Sequence, residues 1–376
     1  MAVKIVEVKN KSDLKKFVEF NIKLYAGNPY HVPGLIDDEL MTLSADKNPA
    51  FDFCESIYFL AYKEDKIAGR IAGIINHKAN ETWKQKYGRF SFVDFIDDEE
   101  VSSALFEAIE KWALAKGMNG MQGPLGFTDL DHEGLLVWGF DQLGTMATVY
   151  SYPYYKDHIE KLGYAKEQDW NEFQIRIPKT IPEKHRRISE IVLKRHGLKV
   201  KKFKKIREIW PYAKRIFLLW NEAYKPLYGY SELSEKQIDY YIKMYIPMLR
   251  LELVTLIIRE ADDAVVGLAI TLPSLSKALQ KAKGRLFPFG WIYLLKALYT
   301  KNDIVDLYIM GVLPEYQNKG VNALLFYDLI PIFDRIGYKY AESNPELEIN
   351  HKMQSQWEDF EAKHHKTRRA FIKLLK

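Results

Sequence analysis

One apolar helical pattern occurs twice in this chain, 220 positions apart. Val101, Leu105, Phe106 and Gly117 return as Val321, Leu325, Phe326 and Gly337, each set leading into a strand candidate. A second parallel precedes each set. YFLAYKEDKIAGRIAGII (58–75) and LVTLIIREADDAVVGLAIT (253–271) both read as strand, polar turn, strand, with Gly69 and Gly267 in the second strand. Each half therefore runs hairpin, strand, helix, strand, helix. That order predicts a duplicated α/β (α+β) fold, a mixed sheet flanked by helices in each copy.

The length of 376 residues suits two domains. Residues 1–177 are expected to form the first and 209–376 the second. Between them, residues 178–208 are expected to be a basic linker and the first strand of the second domain. That stretch, PKTIPEKHRRISEIVLKRHGLKVKKFKKIRE, has twelve Lys or Arg against three Glu, so the basic character of the chain is local. It reads as a solvated helix followed by an edge strand guarded by lysines, or as a surface for anionic lipid or nucleic acid.

Cys54 is the single cysteine, which excludes a disulfide framework and a thiolate metal cluster and suits a reducing compartment. The expected location is the cytoplasm, at the inner membrane face if the basic segments touch lipid. The start of the chain lacks a signal-peptide apolar region. The longest charge-free apolar run, LFPFGWIYLL (286–295), is about half of the ~20 residues a membrane span needs.

Overlaying the copies exposes two differences. Where the second half has Gln317, Asn318, Lys319 and Gly320, the first has Asp97, Asp98, Glu99 and Glu100. A helix start offers unpaired N–H groups and partial positive charge, so the second turn suits an anion, whereas four carboxylates repel one. Gly320 is expected to let a ligand approach. The other difference is 22 extra residues between hairpin and turn in the second half, around LPSLSKALQKAKGRLFPFGWIYLLKALYTK. With Lys277, Lys281, Lys283, Arg285 and Lys296 flanking its apolar residues, this insertion suits a membrane interface, a pocket for an apolar chain, or a helix packed on its own domain.

The run V-x-P-x-Y-Q-x-x-G-V (312–321), between a strand and an apolar helix, resembles the turn of the GNAT family of acyl-coenzyme A N-acyltransferases. That turn reads Gln or Arg, two residues, Gly, one residue, Gly or Ala. Gln317 and Gly320 fit, and Asn322 stands at the last position with Ala323 beside it. Over nearly its full length the chain resembles a narrower two-domain group, the bacterial ceramide-synthase-like acyltransferases. The stretches that carry this are NPYHVPGLIDDE (28–39), KNPAF (47–51), GPLGFTDLDHEGLLVWGFD (123–141), YYKDHIEKLGY (154–164) and GVLPEYQNKGVNALL (311–325).

The resemblance implies tandem GNAT-like domains, the first degenerate. It implies coenzyme A or acyl-coenzyme A as co-substrate, its pyrophosphate held by the backbone of Asn318, Lys319, Gly320, Val321, Asn322 and Ala323 beside Gln317. A backbone N–H near Met310, Gly311 and Val312 would polarise the thioester carbonyl. Acyl transfer to an amine also needs a proton acceptor, for which Glu348 and Glu342, on the strand candidate after the helix, are the choices. Asn350 matches a family asparagine. The family's proton-donating tyrosine, about seven residues later, is replaced by Trp357, so the thiolate leaves unassisted or Tyr316 supplies the proton.

Asp129, Asp131, His132 and Glu133 crowd together in no metal-ligand spacing and read as a polar loop, so no metal is expected. The leading reading is an N-acyltransferase moving an acyl group, long-chain if the insertion holds it, from acyl-coenzyme A to a small-molecule or lipid amine. A sphingoid-type amine is implied by resemblance alone, and the N-terminal half is expected to shape the acceptor site. The other partner expected is an anionic membrane, contacted through residues 178–208 and 277–300. Nucleic acid is left to one alternative, a tRNA-dependent aminoacyl transferase of the Fem-like type. The remaining alternative is a non-catalytic coenzyme A-binding sensor.

Overall fold

A computed structural model describes residues 2–376. The chain forms two compact units. Unit one holds the chain up to Asn171 together with Ser276–Leu294 and His365–Lys376, and unit two holds Glu172–Leu275 and Leu295–His364.

The chain opens with β1 (Lys4–Glu7), α1 (Lys11–Leu24) and α2 (Ile36–Thr42). Next come β2 (Cys54–Lys63), β3 (Lys66–Asn76), α3 (His77–Thr82), β4 (Tyr87–Phe95), α4 (Glu99–Ala115), β5 (Gly120–Gly123), β6 (Leu135–Trp138) and α5 (Tyr154–Lys161). Strand β7 (Ala165–Arg176) leads into unit two, with α6 (Glu183–His196), β8 (Leu198–Lys201), α7 (Trp210–Tyr224), α8 (Glu235–Tyr245), β9 (Val254–Arg259) and β10 (Val265–Pro273). After α9 (Ser276–Ala282) and α10 (Gly290–Tyr299) come β11 (Ile304–Val312), α11 (Val321–Ile336), β12 (Tyr340–Ser343), β13 (Glu346–Leu347), α12 (His351–Gln354) and β14 (Ala362–Leu374).

Within unit one the strand order is β1, β2, β3, β4, β5 and the unit-one part of β14. Every neighbour is antiparallel except β4 and β5, which α4 connects as a crossover. Within unit two the order is β8, β9, β10, β11, β12 and the unit-two part of β7, and again one pair is parallel, β11 with β12 across α11. The duplication read from the sequence is thus present strand by strand, hairpins included.

Each crossover helix buries its apolar face on its own sheet. In unit one Leu105, Phe106 and Ile109 of α4 join Phe90, Phe95 and Tyr164. The close approach needs Gly69 on β3, where a Cβ would meet Leu105 Cδ1 at 2.7 Å. In unit two Leu324, Leu325 and Leu329 of α11 are fully buried with Ile257, Val266 and Val305. Each such leucine contributes about 1.5–3 kcal/mol by burial, and truncating Leu329 to Ala is expected to cost about 2–5 kcal/mol.

Compaction does not follow the sequential boundaries 1–177, 178–208 and 209–376. The sixth strand of unit one comes from the end of the chain and the sixth strand of unit two from its middle. The basic segment is not a free linker either, since α6 buries His185, Ser189 and Val192 in unit two, where it packs on α11. Its lysine-rich β8 pairs only with β9, at the sheet edge.

The insertion divides. Helix α9 is built into unit one: Ser276 Oγ donates to Gly144 O (2.8 Å), and Gln280 Nε2 donates to the carbonyls of Pro29 (2.8 Å) and His31 (2.9 Å). Gly284 O accepts from the Ile36 N–H (2.9 Å), and a Cβ at Gly284 would lie 2.4 Å from Ile22 Cδ1. No helix among the described residues is long and apolar enough to cross a membrane.

Candidate active site

Strand β11 ends at Val312, and a single 3₁₀ turn, Pro314–Tyr316, carries the chain to Gln317. Asn318 (φ 60°) and Gly320 (φ 78°) are both left-handed, and α11 begins at Val321 with no acidic residue in its first turn. Asparagine and glycine are the residues that tolerate this conformation. As a result the backbone N–H groups of Asn318, Gly320, Val321 and Asn322 have no partner among the described residues, whereas those of Lys319 and Ala323 reach the carbonyls of Tyr316 and Gly320. Consecutive outward N–H groups at a helix start form an anion nest. Gln317 braces it, its Nε2 donating to Val312 O (3.2 Å).

The role of Gly320 differs from the one expected. A Cβ there would meet Ile188 Cγ2 at 2.7 Å and Val192 Cγ2 at 3.2 Å, so the missing side chain makes room for α6 rather than for a ligand. Basic side chains surround Tyr316 beside the turn, Arg259 being also paired with Asp262 (2.7 Å). Lys319 Nζ lies 5.4 Å from the centroid of the Tyr316 ring, His196 packs edge-on against the same ring, and Arg259 Nη1 donates to the Tyr316 hydroxyl (3.1 Å). Tyr316 is therefore a buried post under the nest, its oxygen held by a guanidinium.

The strand leading to the turn opens away from its neighbour. β11 pairs with β12 only from Ile304–Leu307 to Tyr340–Ser343, and a register shift against β10 leaves Tyr308 as a bulged residue. Beyond the bulge, Leu313 donates to Val266 O and Gly311 lies opposite Leu268, so the odd-numbered residues face β10. The even-numbered ones face the opening. There Tyr224 donates its hydroxyl proton to Met310 O (3.1 Å), and Asn344 Nδ2 donates to Tyr308 O. Of the three residues expected to polarise a carbonyl, Met310 and Val312 thus present N–H groups to the opening. Gly311 turns its own to the sheet.

Glu342 is buried on β12 in register with Asp306, and its Oε1 accepts from Gln174 Nε2 (2.8 Å). Glu348 lies beyond β13 and not on a strand as expected, because β12 stops at Ser343 and only two residues re-form a strand. Asn350 is the cap of α12, its Oδ1 accepting from the Met353 N–H (3.2 Å). Sequence reasoning misses Glu346. It is buried, both its oxygens accept from Trp357 Nε1 (3.0 and 3.1 Å), and burial pushes its carboxyl up to about 8 against the pull of that N–H. Trp357 in turn packs on Phe326 of α11. The apolar flanks of Pro345-Glu346-Leu347 were the available signal.

Unit one concentrates carboxyls in the loop after β5. Burial pushes Asp129 up to about 7 and Asp131 up to about 6, and it raises Glu133 well above the usual range with Asp129 adding repulsion; Arg89 works against each shift. His132 Nε2 lies 3.1 Å from Met146 O. No group of three such side chains among the described residues could hold a metal ion.

A duplicated sheet with one crossover helix per copy and a bulged strand running into a nest defines the class: the chain has a tandem GNAT fold. The tandem GNAT protein from the clavulanic acid biosynthesis pathway superposes with a TM-score of 0.57 at 11% identity, covering 99% of this chain and 98% of that one. A GCN5-related N-acetyltransferase from Sphaerobacter thermophilus superposes with a TM-score of 0.51 at 11% identity over 99% and 95%. In sequence the chain is similar to Protein YghO of Escherichia coli, 29% identical over 377 residues, 97% of this chain and 94% of that protein. It is also similar to the bacterial ceramide synthase of Caulobacter vibrioides, 28% identical over 380 residues, 99% and 97% of the two chains. No family model matches the chain.

Proposed function

We propose that this chain is an acyl-coenzyme A-dependent N-acyltransferase whose donor binds in unit two. The observation that carries the reading is the nest of four unpaired N–H groups, Asn318, Gly320, Val321 and Asn322, at the end of a strand whose free edge presents Met310 N–H. The nest would take the pyrophosphate, with Lys319 supplying a counter-charge. Met310 N–H would donate to the thioester oxygen as it gains charge. The amine nitrogen attacks the carbonyl carbon, the C–S bond breaks, and the sulfur leaves as thiolate. The amine proton passes to a carboxylate, for which Glu346 is a better choice than Glu342 or Glu348, since its ionisation is displaced toward working pH.

The acceptor proposed is a long-chain amine of the sphingoid type and the acyl group a long one. Support for both comes from the full-length similarity to a bacterial ceramide synthase. Titration of free coenzyme A and of acetyl- to palmitoyl-coenzyme A against thermal stability tests the donor, because a ligand of the native state raises the midpoint with occupancy. Stabilisation that grows with chain length, followed by amide formation from palmitoyl-coenzyme A and sphinganine, is the expected result. Donor binding without turnover on any amine would leave a sensor. No donor binding, with salt-sensitive retention of aminoacyl-tRNA, would replace the reading with aminoacyl transfer.

A further inference from the structure

The segment from Lys277 to Lys301 contains six Lys or Arg (Lys277, Lys281, Lys283, Arg285, Lys296 and Lys301) and no Asp or Glu. Helix α9 anchors its first part in unit one through Ser276, Gln280 and Gly284. The remainder, from Leu286 to Tyr299, presents its apolar side chains outward. Phe287 is 75% exposed, Phe289 67%, Tyr299 66% and Trp291 43%, with Ile292, Tyr293 and Leu295 also exposed, while α10 buries only Gly290 and Leu294. Exposed apolar surface this dense is an interaction site rather than ordinary surface composition.

Charge selects the partner. Arg285 is paired with Glu19 (3.0 Å), and the acidic first turn of α2 lies near Gly284 at the root of the segment, but Lys277, Lys281, Lys283, Lys296 and Lys301 have no carboxylate partner among the described residues. Phenylalanine, tryptophan and tyrosine interleaved with unpaired lysines, on a ten-residue helix too short to span a bilayer, match an element that lies in a membrane interface. We infer that the loop Leu286–Phe289 and helix α10 dock on a bilayer surface rich in anionic headgroups, the aromatics entering the headgroup layer and the lysines facing the phosphates. This inference is independent of which amine is acylated.

The test is flotation of the full-length protein with vesicles of phosphatidylcholine alone and of phosphatidylcholine with 30% phosphatidylglycerol. The wild type is expected to float with the anionic vesicles, less so as salt rises. The variant Phe287→Ser/Phe289→Ser is expected to partition at least about tenfold more weakly per aromatic removed, with its melting midpoint and coenzyme A response unchanged. Lys296→Gln is expected to weaken anionic binding roughly fivefold and to leave phosphatidylcholine binding unaffected. Failure of the wild type to bind anionic vesicles, or full binding by the double-serine variant, overturns the proposal. Loss of a wild-type self-association in the double-serine variant, without vesicle binding, would instead give this face to a second copy.

Discussion

Helices α4 and α11 hold the same place in their units and begin in opposite ways. At α4 the Oδ1 of Asp98 accepts from the N–H groups of Glu100 (3.0 Å) and Val101 (3.2 Å), and Lys63 pairs with both Asp98 and Glu100. At α11 the cap is Gly320, which has no side chain to offer, and the equivalent N–H groups point at nothing among the described residues. The first helix has used its terminal positive potential on its own carboxylate; the second has kept it. A duplicated frame can therefore retain its architecture in both copies and an uncapped helix start in only one, because the fold rests on buried apolar faces and the uncapped start on three or four polar positions at a turn.

Transplanting one start onto the other gives the largest expected effect. Gly320 is the wrong place to do it, since its φ and the contact with Ile188 would unfold the turn and confuse repulsion with strain. Lys319 and Asn322 are exposed, and Lys319→Glu/Asn322→Glu puts one carboxylate where α4 has Glu99 and a second in the first turn of α11. Coenzyme A affinity, read by calorimetry at low salt, is expected to fall roughly a thousandfold, about 4 kcal/mol. The unliganded protein should melt no lower than wild type, because acidic residues stabilise a helix start. Unchanged affinity would mean that the turn holds no phosphate.

The copies are also comparable one strand later, where each buries carboxyls: Glu346 after β12 in unit two, and Asp129, Asp131 and Glu133 after β5 in unit one. If only unit two works on the amine, Glu346→Gln should lower kcat about a hundredfold and remove a rise in rate centred near pH 8. Asp131→Asn should leave that rise in place. Retention of the rise in the Glu346 variant would return the proton to Glu342 or Glu348.

All four carboxyls are raised in the fold, so the native state holds protons that the unfolded chain releases. Their effect on stability has one sign. It is most favourable below about pH 4 and is lost as pH climbs through the folded values near 6, 7 and 8. The melting midpoint is expected to fall between pH 6 and 9, and Asp131→Asn/Glu346→Gln to flatten that fall by an amount on the order of 1 kcal/mol or more. A midpoint that rises over this range would contradict the burial of these groups.

Much of this was legible in the sequence because it is local or periodic. The hairpins, the two crossover helices and the turn at Gln317–Gly320 all declare themselves within about twenty residues. What the sequence concealed depends on partners remote along the chain. Helix α9 belongs with Gly144, Pro29 and His31, and Gly320 answers to Ile188, over a hundred positions away. Glu346 is hidden behind Glu348 in the sequence because an isolated glutamate does not reveal its burial. That burial is created by Leu347, Trp357 and the fold around them, while the more conspicuous Glu348 is half-buried outside any strand.

The smallest effect tests the comparison from its other side. Asp98→Ala removes the carboxylate that occupies the α4 start and leaves two N–H groups uncapped, at a cost of about 1 kcal/mol in urea titrations. Asp98 is held below its ordinary value by Lys63 and by those N–H groups, so its contribution is present above the unfolded carboxyl's range and is lost as pH falls through the folded value. The difference between variant and wild type should therefore vanish in acid while persisting at pH 7. Coenzyme A affinity should not change at all, since Glu99 and Glu100 still guard that helix start. A second coenzyme A equivalent bound by Asp98→Ala would show that one carboxylate, rather than the set of four, separates the two copies.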